Sequence, residues 1–374
     1  MKRIEITPRE NWKKESELLG FTWHTGLNPY WNESAYYEFS GQEIAQIEQA
    51  THSLNQLCYL AIEKTIENNL FADLKISDSL REPIIKSWER DDPTIFGRMD
   101  LAYDGINPPK FLEYNADTPT SLPEASLFQW YWLKAVFPEN DQFNSLHDCL
   151  TEQMEWLKSE KKITELWLTT MEGSDEDWGN LIYLADTAVQ SGIKINVIPI
   201  EEIGHDGNQF VDGHGKNISR LFKLYPWEWL VNEDAGQEAI DSAGLFIEPL
   251  WKLILQSKGL LPLLWKLFPD HPNLLPAYLE PRPDLISFVK KPFWSREGAN
   301  ITISDGQTHI ETGGMYGSEG FIYQKKAPLF QSSGNYSVIG SWIVGETPAG
   351  IGVREDHSQV ITNLSPFVPH IIKE

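Results

Sequence analysis

Two short alternating segments, FGRMDLAYDG and PKFLEYNADT, meet at the turn DGINPP between residues 96 and 118. The pattern predicts an antiparallel hairpin, because side chains two apart on a strand point the same way. Arg98 and Asp100 on the first strand, and Glu113, Asn115 and Asp117 on the second, then share one face, while Phe111, Leu112 and Tyr114 do the packing. Oxygen donors of Asp, Glu and Asn suit a hard ion such as Mg2+, leaving Arg98 free to hold a phosphoryl group through parallel hydrogen bonds. The alternative is a solvated sheet edge with Arg98 paired to Asp100 or Glu113, and spacing alone leaves both readings open.

The rest of the chain supplies the scaffold for such a sheet. Residues 41–70 place Ile44, Ile47, Leu54, Leu57, Leu60 and Ile62 near helical spacing and read as one long amphipathic helix. LPEASLFQWYWLKAVF reads as a helix with Pro123 near its start. ITELWLTTM, followed by EDWGNLIYLADTAVQSGIKINVIPIEEI, reads as strand, helix and strand, with Gly192 ending the helix. After residue 250, LISFVKKPF, GANITIS, GFIYQKK, SVIGSWIV and GETPAGIGVRE predict antiparallel strands with tight turns. No repeat or low-complexity linker separates these parts, so any domains must be interleaved.

Composition limits the function classes. With 374 residues, 41% of them hydrophobic, the chain can bury a large core in two or three lobes. A net charge of -23 leaves no basic stripe for nucleic acid and would attract cationic amines. The longest apolar runs, such as LLPLLW at 260–265, are too short for a membrane span, and MKRIEITPREN lacks a secretory pattern, so a cytoplasmic location is expected. Cys58 and Cys149 exclude a disulfide framework and read as small buried hydrophobes. The 15 tryptophans could stack on sugars, but their spread along the chain fits core and lobe-interface positions better.

Two further constellations carry chemistry. FVKKPFWSREGANI, residues 288–301, ends a strand at Lys291 and continues into a loop where Gly298 lets backbone N–H groups approach an anion. Phosphate cradling is one reading and a charged surface hairpin the other; Walker spacing is absent. GVREDHSQVITN at 352–363 puts Arg354, Glu355 and Asp356 just before a strand, a weak signal by itself.

FGRMD, LEYNADTPTS, SKGLLPLLWKLFPDHPNLLP, VKKPFWSREGANI, IYQKK and GVREDHSQVIT together resemble, in the same order, the glutathionylspermidine synthetases, the ligase part of glutathionylspermidine synthetase/amidase. The stand-alone bacterial synthetase-like form is the nearer match, since the chain starts directly in the ligase region. The resemblance implies α+β architecture with an α/β lobe: an ATP-grasp fold in which antiparallel sheets from two lobes enclose ATP. Residues 1–374 would be one synthetase-type region, with approximate lobes at 1–150 (helices and metal-site hairpin), 151–250 (α/β, substrate side) and 251–374 (nucleotide side). Asp100, Glu113 and Asn115 match Mg2+ ligands, and Arg98 matches the catalytic arginine that steadies the transferring phosphoryl group. Lys258 and Lys291 match lysines on the ATP phosphates, with Gly298 in a flexible phosphate loop. Gln324, Lys325 and Lys326 fall where a hinge strand meets adenine. Arg354 matches a late arginine near the phosphates, Val360 and Ile361 line the nucleotide pocket, and Thr118 falls where the acid substrate is touched. Asp117 is left to shape the turn into TPTS.

The implied reaction joins a peptide-like carboxylate to an amine or polyamine through an acyl phosphate. Water must be excluded from that intermediate, so closure of a mobile loop between Lys291 and Gln324 is expected. In EGSDEDWGN, Glu176 and Asp177 offer a site for a cationic amine, or cap a helix beginning near Trp178. Other readings are a non-catalytic nucleotide or polyamine binder and a carbohydrate hydrolase with paired carboxylates.

Overall fold

The computed structural model describes residues 1–26 and 29–373. The hairpin forms as predicted, with Phe96–Ala102 antiparallel to Lys110–Asn115, Arg98 opposite Asn115 and Asp100 opposite Glu113. Beyond that pair the register slips, so that Leu101 faces Phe111 and Leu112 is the extra residue of a bulge. A bulge re-aims side chains locally. Leu112 and Glu113, though consecutive, therefore both line the same cavity.

The hairpin is one edge of a six-stranded sheet whose other members come from the far end of the chain. Asn335–Val344 pairs with Phe96–Ala102, and Thr347–Asp356 and Phe367–Val368 continue the sheet. Gly340 lies opposite Asp100, and a Cβ there would stand 2.8 Å from the Arg98 side chain. Its missing side chain is what lets Arg98 lie flat along the sheet. Arg354, Glu355 and Asp356 end the strand Thr347–Asp356; they do not precede one, because antiparallel pairing with Asn335–Val344 carries through to Tyr336–Asp356.

A second antiparallel sheet of five strands runs in the order Ala277–Tyr278, Phe321–Lys325, Phe288–Pro292, Thr302–Ser304, His309–Glu311. The antiparallel strands after residue 250 are thus divided between two sheets. The stretch between Lys291 and Gln324 is likewise not all loop, since two strands of this sheet lie within it.

The predicted α/β unit appears as Glu165–Thr170, the helix Asp175–Gln190 and Lys194–Pro199, in a four-stranded parallel sheet completed by Leu221–Lys223 and Phe246–Ile247. Gly192 follows that helix with φ +73°. The long helix spans Gly41–Asn68 with a Ser40/Glu43 capping box. Its buried stripe runs through Ile44, Ile47, Leu54, Cys58, Ala61 and Ile62, whereas Leu60 is 42% exposed and falls outside it. Cys58 is buried as expected and Cys149 half-buried, both free thiols. Trp31, Trp132, Trp227 and Trp342 are fully buried, so these four are packing groups. Among the described residues no helix is long and apolar enough to cross a membrane.

Candidate active site

A cavity of about 400 Å³ opens between the two antiparallel sheets and the start of the Asp175–Gln190 helix. At its centre Arg98 holds Asp100 through two hydrogen bonds, Nε to Oδ1 at 2.8 Å and Nη2 to Oδ2 at 3.2 Å, and Nη1 donates to the Thr120 carbonyl at 2.7 Å. Asn115 Nδ2 donates to Asp100 Oδ2 at 3.1 Å. The guanidinium also stands 5.9 Å from the Trp342 ring. Of the alternatives left open by the spacing, the Arg98–Asp100 ion pair forms, and it faces a cavity, not a solvated sheet edge.

Lys258 and Lys291 approach from the other side. Lys258 Nζ is 3.1 Å from Glu113 and donates to the Ser295 carbonyl at 2.7 Å. Lys291 Nζ donates to the Leu112 carbonyl at 2.8 Å and to Gln324 Oε1 at 2.9 Å. Burial alone would raise the Glu113 carboxyl, but Lys258, Lys291 and Arg98 overcome it and bring it down to about 2. Burial instead dominates at Asp100, whose carboxyl is raised despite Arg98. Burial also depresses the Lys291 ammonium to about 8, with Lys258 adding to the effect and Glu113 opposing it.

One end of the cavity is apolar. Val289, Ile303 and Val360 from one apolar cluster and Leu112, Ala327 and Leu329 from another line it. Lys326 lies at this end, paired to Asp305 at 2.6 Å. Gln324 is buried behind Lys291, its Nε2 donating to the Phe111 carbonyl at 2.8 Å. Lys325, on the opposite pleat, is exposed and does not line this cavity, as strand alternation requires next to an inward Gln324.

Gly298 has φ +69°, and a Cβ there would meet the Ile361 carbonyl oxygen at 2.6 Å. Only glycine fits both demands. Val360, Ile361 and Arg354 line the same region, and Arg354 holds their loop by donating to the Ser365 and Asn363 carbonyls.

The other end is acidic. The helix begins at Asp175, three residues before Trp178, with Ser174 capping the Asp177 N–H, so Glu176 and Asp177 both lie in its first turn and both line the cavity. The cap and the acidic site are one feature. Thr118 lines this region and accepts a 2.6 Å bond from Arg296, whose other arm reaches Glu228 at 2.6 Å.

Sequence reading did not give Arg296 a role, although it stands in the quoted SREG loop, because its partners are distant in the chain. Asp117 was misread. It does not shape a turn but lies fully buried in an ion pair with Lys223 at 2.7 Å, its second oxygen accepting from the Trp227 N–H. A local turn signal cannot reveal a partner 106 residues away.

A profile of the family described as glutathionylspermidine synthase preATP-grasp matches residues 3–373. The chain belongs to the glutathionylspermidine synthase family. This family member is accordingly a ligase of the ATP-dependent, carbon–nitrogen-forming class. It is 39% identical to a Haemophilus influenzae protein provisionally named acid–amine ligase, over 99% of both chains. It is 29% identical to the trypanothione synthetase of Crithidia fasciculata over 80% of its own length, and spans 50% of that longer protein. A glutathione synthetase-like effector from Globodera pallida shares the fold, with TM-score 0.55 and 11% identity over 90% of this synthase-family chain and 89% of the other. The architecture is that of glutathione synthetase-like structures, a mixed α/β fold with several sheets.

Proposed function

We propose that this chain is an Mg2+-dependent acid–amine ligase of the ATP-grasp type, joining a peptide-like carboxylate to an amine or polyamine through an acyl phosphate. The observation that carries the reading is the convergence of Arg98, Lys258 and Lys291 on the Asp100–Glu113 pair beside the apolar end of the cavity. Three cations around two carboxylates, with the two charges of Mg2+ added, can hold a chain of phosphates with charge nearly balanced.

The donor set fits Mg2+. Among the described residues no three His, Cys, Asp or Glu side chains form a metal cluster, but Asp100 and Glu113 face each other across the hairpin with the Asn115 amide beside them. Glu113, held down to about 2, offers an ionised oxygen at any working pH. Asp100, Glu113 and Asn115 would hold the ion, which would neutralise phosphate charge. Lys258 and Lys291 would grip the ATP phosphates, and Gly298 would bring backbone N–H groups to them. Arg98 would steady the phosphoryl group as it passes to the carboxylate. Val289, Ile303, Val360 and Ile361 would enclose adenine, with Lys326 at its edge and Gln324 acting on Lys291, not on the base; Arg354 would hold the covering loop.

Thr118, tied to Arg296, would touch the acid, and Glu176 and Asp177 would attract the amine. The loop carrying Arg296 joins the five-stranded sheet to Thr118 and Glu228, which supports its expected part in excluding water.

ADP release with Mg2+ across a panel of peptides and polyamines tests the reading. Turnover stimulated by one acid and one amine, and lowered about 100- to 1,000-fold by Arg98→Ala, is expected. Tight ATP binding without turnover under any combination would reject a ligase in favour of a nucleotide binder.

A further inference from the structure

Behind the acidic end of the cavity lies a carboxyl group with no role in the reaction as described. Glu124 is 0% exposed, on the first turn of the helix that follows TPTSLP. Trp23 Nε1 donates to its Oε1 at 2.6 Å, while its Oε2 has no hydrogen-bond partner among the described residues. A sealed carboxyl oxygen without a donor is uncommon, and it calls for a proton of its own or a function.

The surroundings supply that function. The buried Tyr30 hydroxyl is 3.1 Å from Ser121 Oγ and 3.4 Å from Glu176 Oε1, and Tyr30 packs against the same Phe21 ring as Trp23, the donor to Glu124. Tyr30 thus stands between a carboxyl that lines the cavity and one sealed behind it. The influences that bear most on Glu124 are burial, Glu176, the Trp23 indole, its own backbone N–H and Tyr30, none of them a cation. On the cavity side Glu176 faces Asp177 and Glu297, with Arg354 as the counter-charge, its guanidinium 5.3 Å from the Tyr30 ring.

Two carboxyls at close quarters in a dry site cannot both ionise cheaply, so they titrate as a pair. Burial first and Glu176 second raise Glu124 to about 7, and burial raises Glu176 against the pull of Arg354. Groups displaced in this way suit acid–base work near neutral pH.

We infer that Glu124 and Glu176 form a carboxyl–carboxylate pair sharing one proton, and that this pair is the proton acceptor for the ammonium group of the amine substrate. Glu176 touches the substrate, and Glu124 is a positioning residue that acts through it. The inference rests on the proposed placement of the amine beside Glu176. When the ammonium ion binds, its positive charge favours the doubly ionised pair and the shared proton leaves to solvent. One N–H proton then passes to the pair, freeing the nitrogen lone pair to attack the acyl carbon. The carbon–oxygen bond to phosphate breaks, the second N–H proton goes to the departing phosphate as it becomes hydrogen phosphate, and the pair keeps the first proton, which restores its singly protonated resting state.

Titration calorimetry of the full chain with spermidine, putrescine and butylamine at pH 7, in two buffers of different ionisation enthalpy, reads this proton directly. Wild type is expected to release about half a proton per amine bound, and Glu124→Gln, which keeps an acceptor for Trp23, to release none. In amide formation the acidic limb of the pH–rate profile is expected to move down from about 7 in the Glu124→Gln variant, a change that a packing role would not cause. Should Glu124→Gln fail to fold, Glu176→Gln removes the other half of the pair from the cavity side, and it too should abolish proton release.

Equal proton release by wild type and both variants, or no saturable binding of any of the three amines, overturns the inference. If no acid and amine together give ADP release, the ligase reading falls, while proton release on amine binding still decides the pair. If ADP is released but the acidic limb is unmoved in Glu124→Gln, the pair falls and the ligase stands.

Discussion

Lys291 illustrates how a single residue's chemistry is set by neighbours remote in sequence. Its ammonium is buried, which lowers it to about 8, and it is held by the Leu112 carbonyl and by Gln324 Oε1. The charged form is the one that can grip phosphate, so affinity for ATP should be constant below pH 8 and fall as pH rises through it, by up to tenfold per unit. Phosphate contact favours the charged form, so saturating ATP should shift the midpoint upward. Gln324→Leu removes an acceptor from the ammonium and should move the midpoint of the free protein down. Nucleotide titration from pH 7 to 9.5 checks all three; an affinity flat across that range would remove Lys291 from the phosphate site.

At the scale of elements, the join between hairpin and parallel sheet depends on Asp117 and Lys223. The pair is fully buried, with Lys223 Nζ also donating to the Tyr225 carbonyl at 2.9 Å and the Trp227 N–H bonded to Asp117 at 2.7 Å. A buried pair adds little net stability over apolar packing, yet removing one partner strands the other charge. Lys223→Met should therefore cost about 3–5 kcal/mol in urea unfolding. Combining Lys223→Met with Asp117→Asn should cost clearly less than Lys223→Met alone. Equal losses in the single and double variants would show that packing, not charge, dominates. Thr118 is the next residue, so the single variant should also weaken binding of the acid substrate.

For the whole molecule, closure depends on joining the two ends of the chain. Ala35–Phe39 pairs antiparallel with Lys2–Glu5 and parallel with His370–Ile372, and Arg3 grips Glu355 through bonds of 2.7 and 2.8 Å. His370 lies fully buried in this seam, Nε2 accepting from the Phe143 N–H at 3.2 Å and Nδ1 meeting Gln129 Oε1 at 2.9 Å, a pattern that requires the neutral ring. Burial depresses it to about 3. The unfolded chain takes up the proton below about pH 6.5 and the folded chain does not, so stability is full above that value and falls as pH drops toward 3. The loss from this group should approach about 1.4 kcal/mol per pH unit well below pH 6.5. His370→Gln should flatten the pH dependence of the urea midpoint between 6.5 and 5, and identical slopes in the two proteins would contradict the assignment.

The sequence by itself determined what depends on near neighbours. Alternation in FGRMDLAYDG and PKFLEYNADT set the hairpin, the 3.6-residue period set the long helix, and the hairpin turn brought Arg98, Asp100, Glu113 and Asn115 to one face. Even the inward Gln324 and outward Lys325 follow from strand alternation once the strand is placed. The tertiary structure decided which sheets the late strands join, the cavity between those sheets, and every partner across it. Lys258 meets Glu113, Arg296 meets Thr118, and Asp117 meets Lys223 across separations of more than 100 residues. Glu124 shows the limit most clearly, because an acid in the first turn of a helix is ordinary in sequence. Its burial, its unpartnered oxygen and its nearness to Glu176 arise only when separate elements pack, since desolvation and charge coupling are properties of the space around a residue.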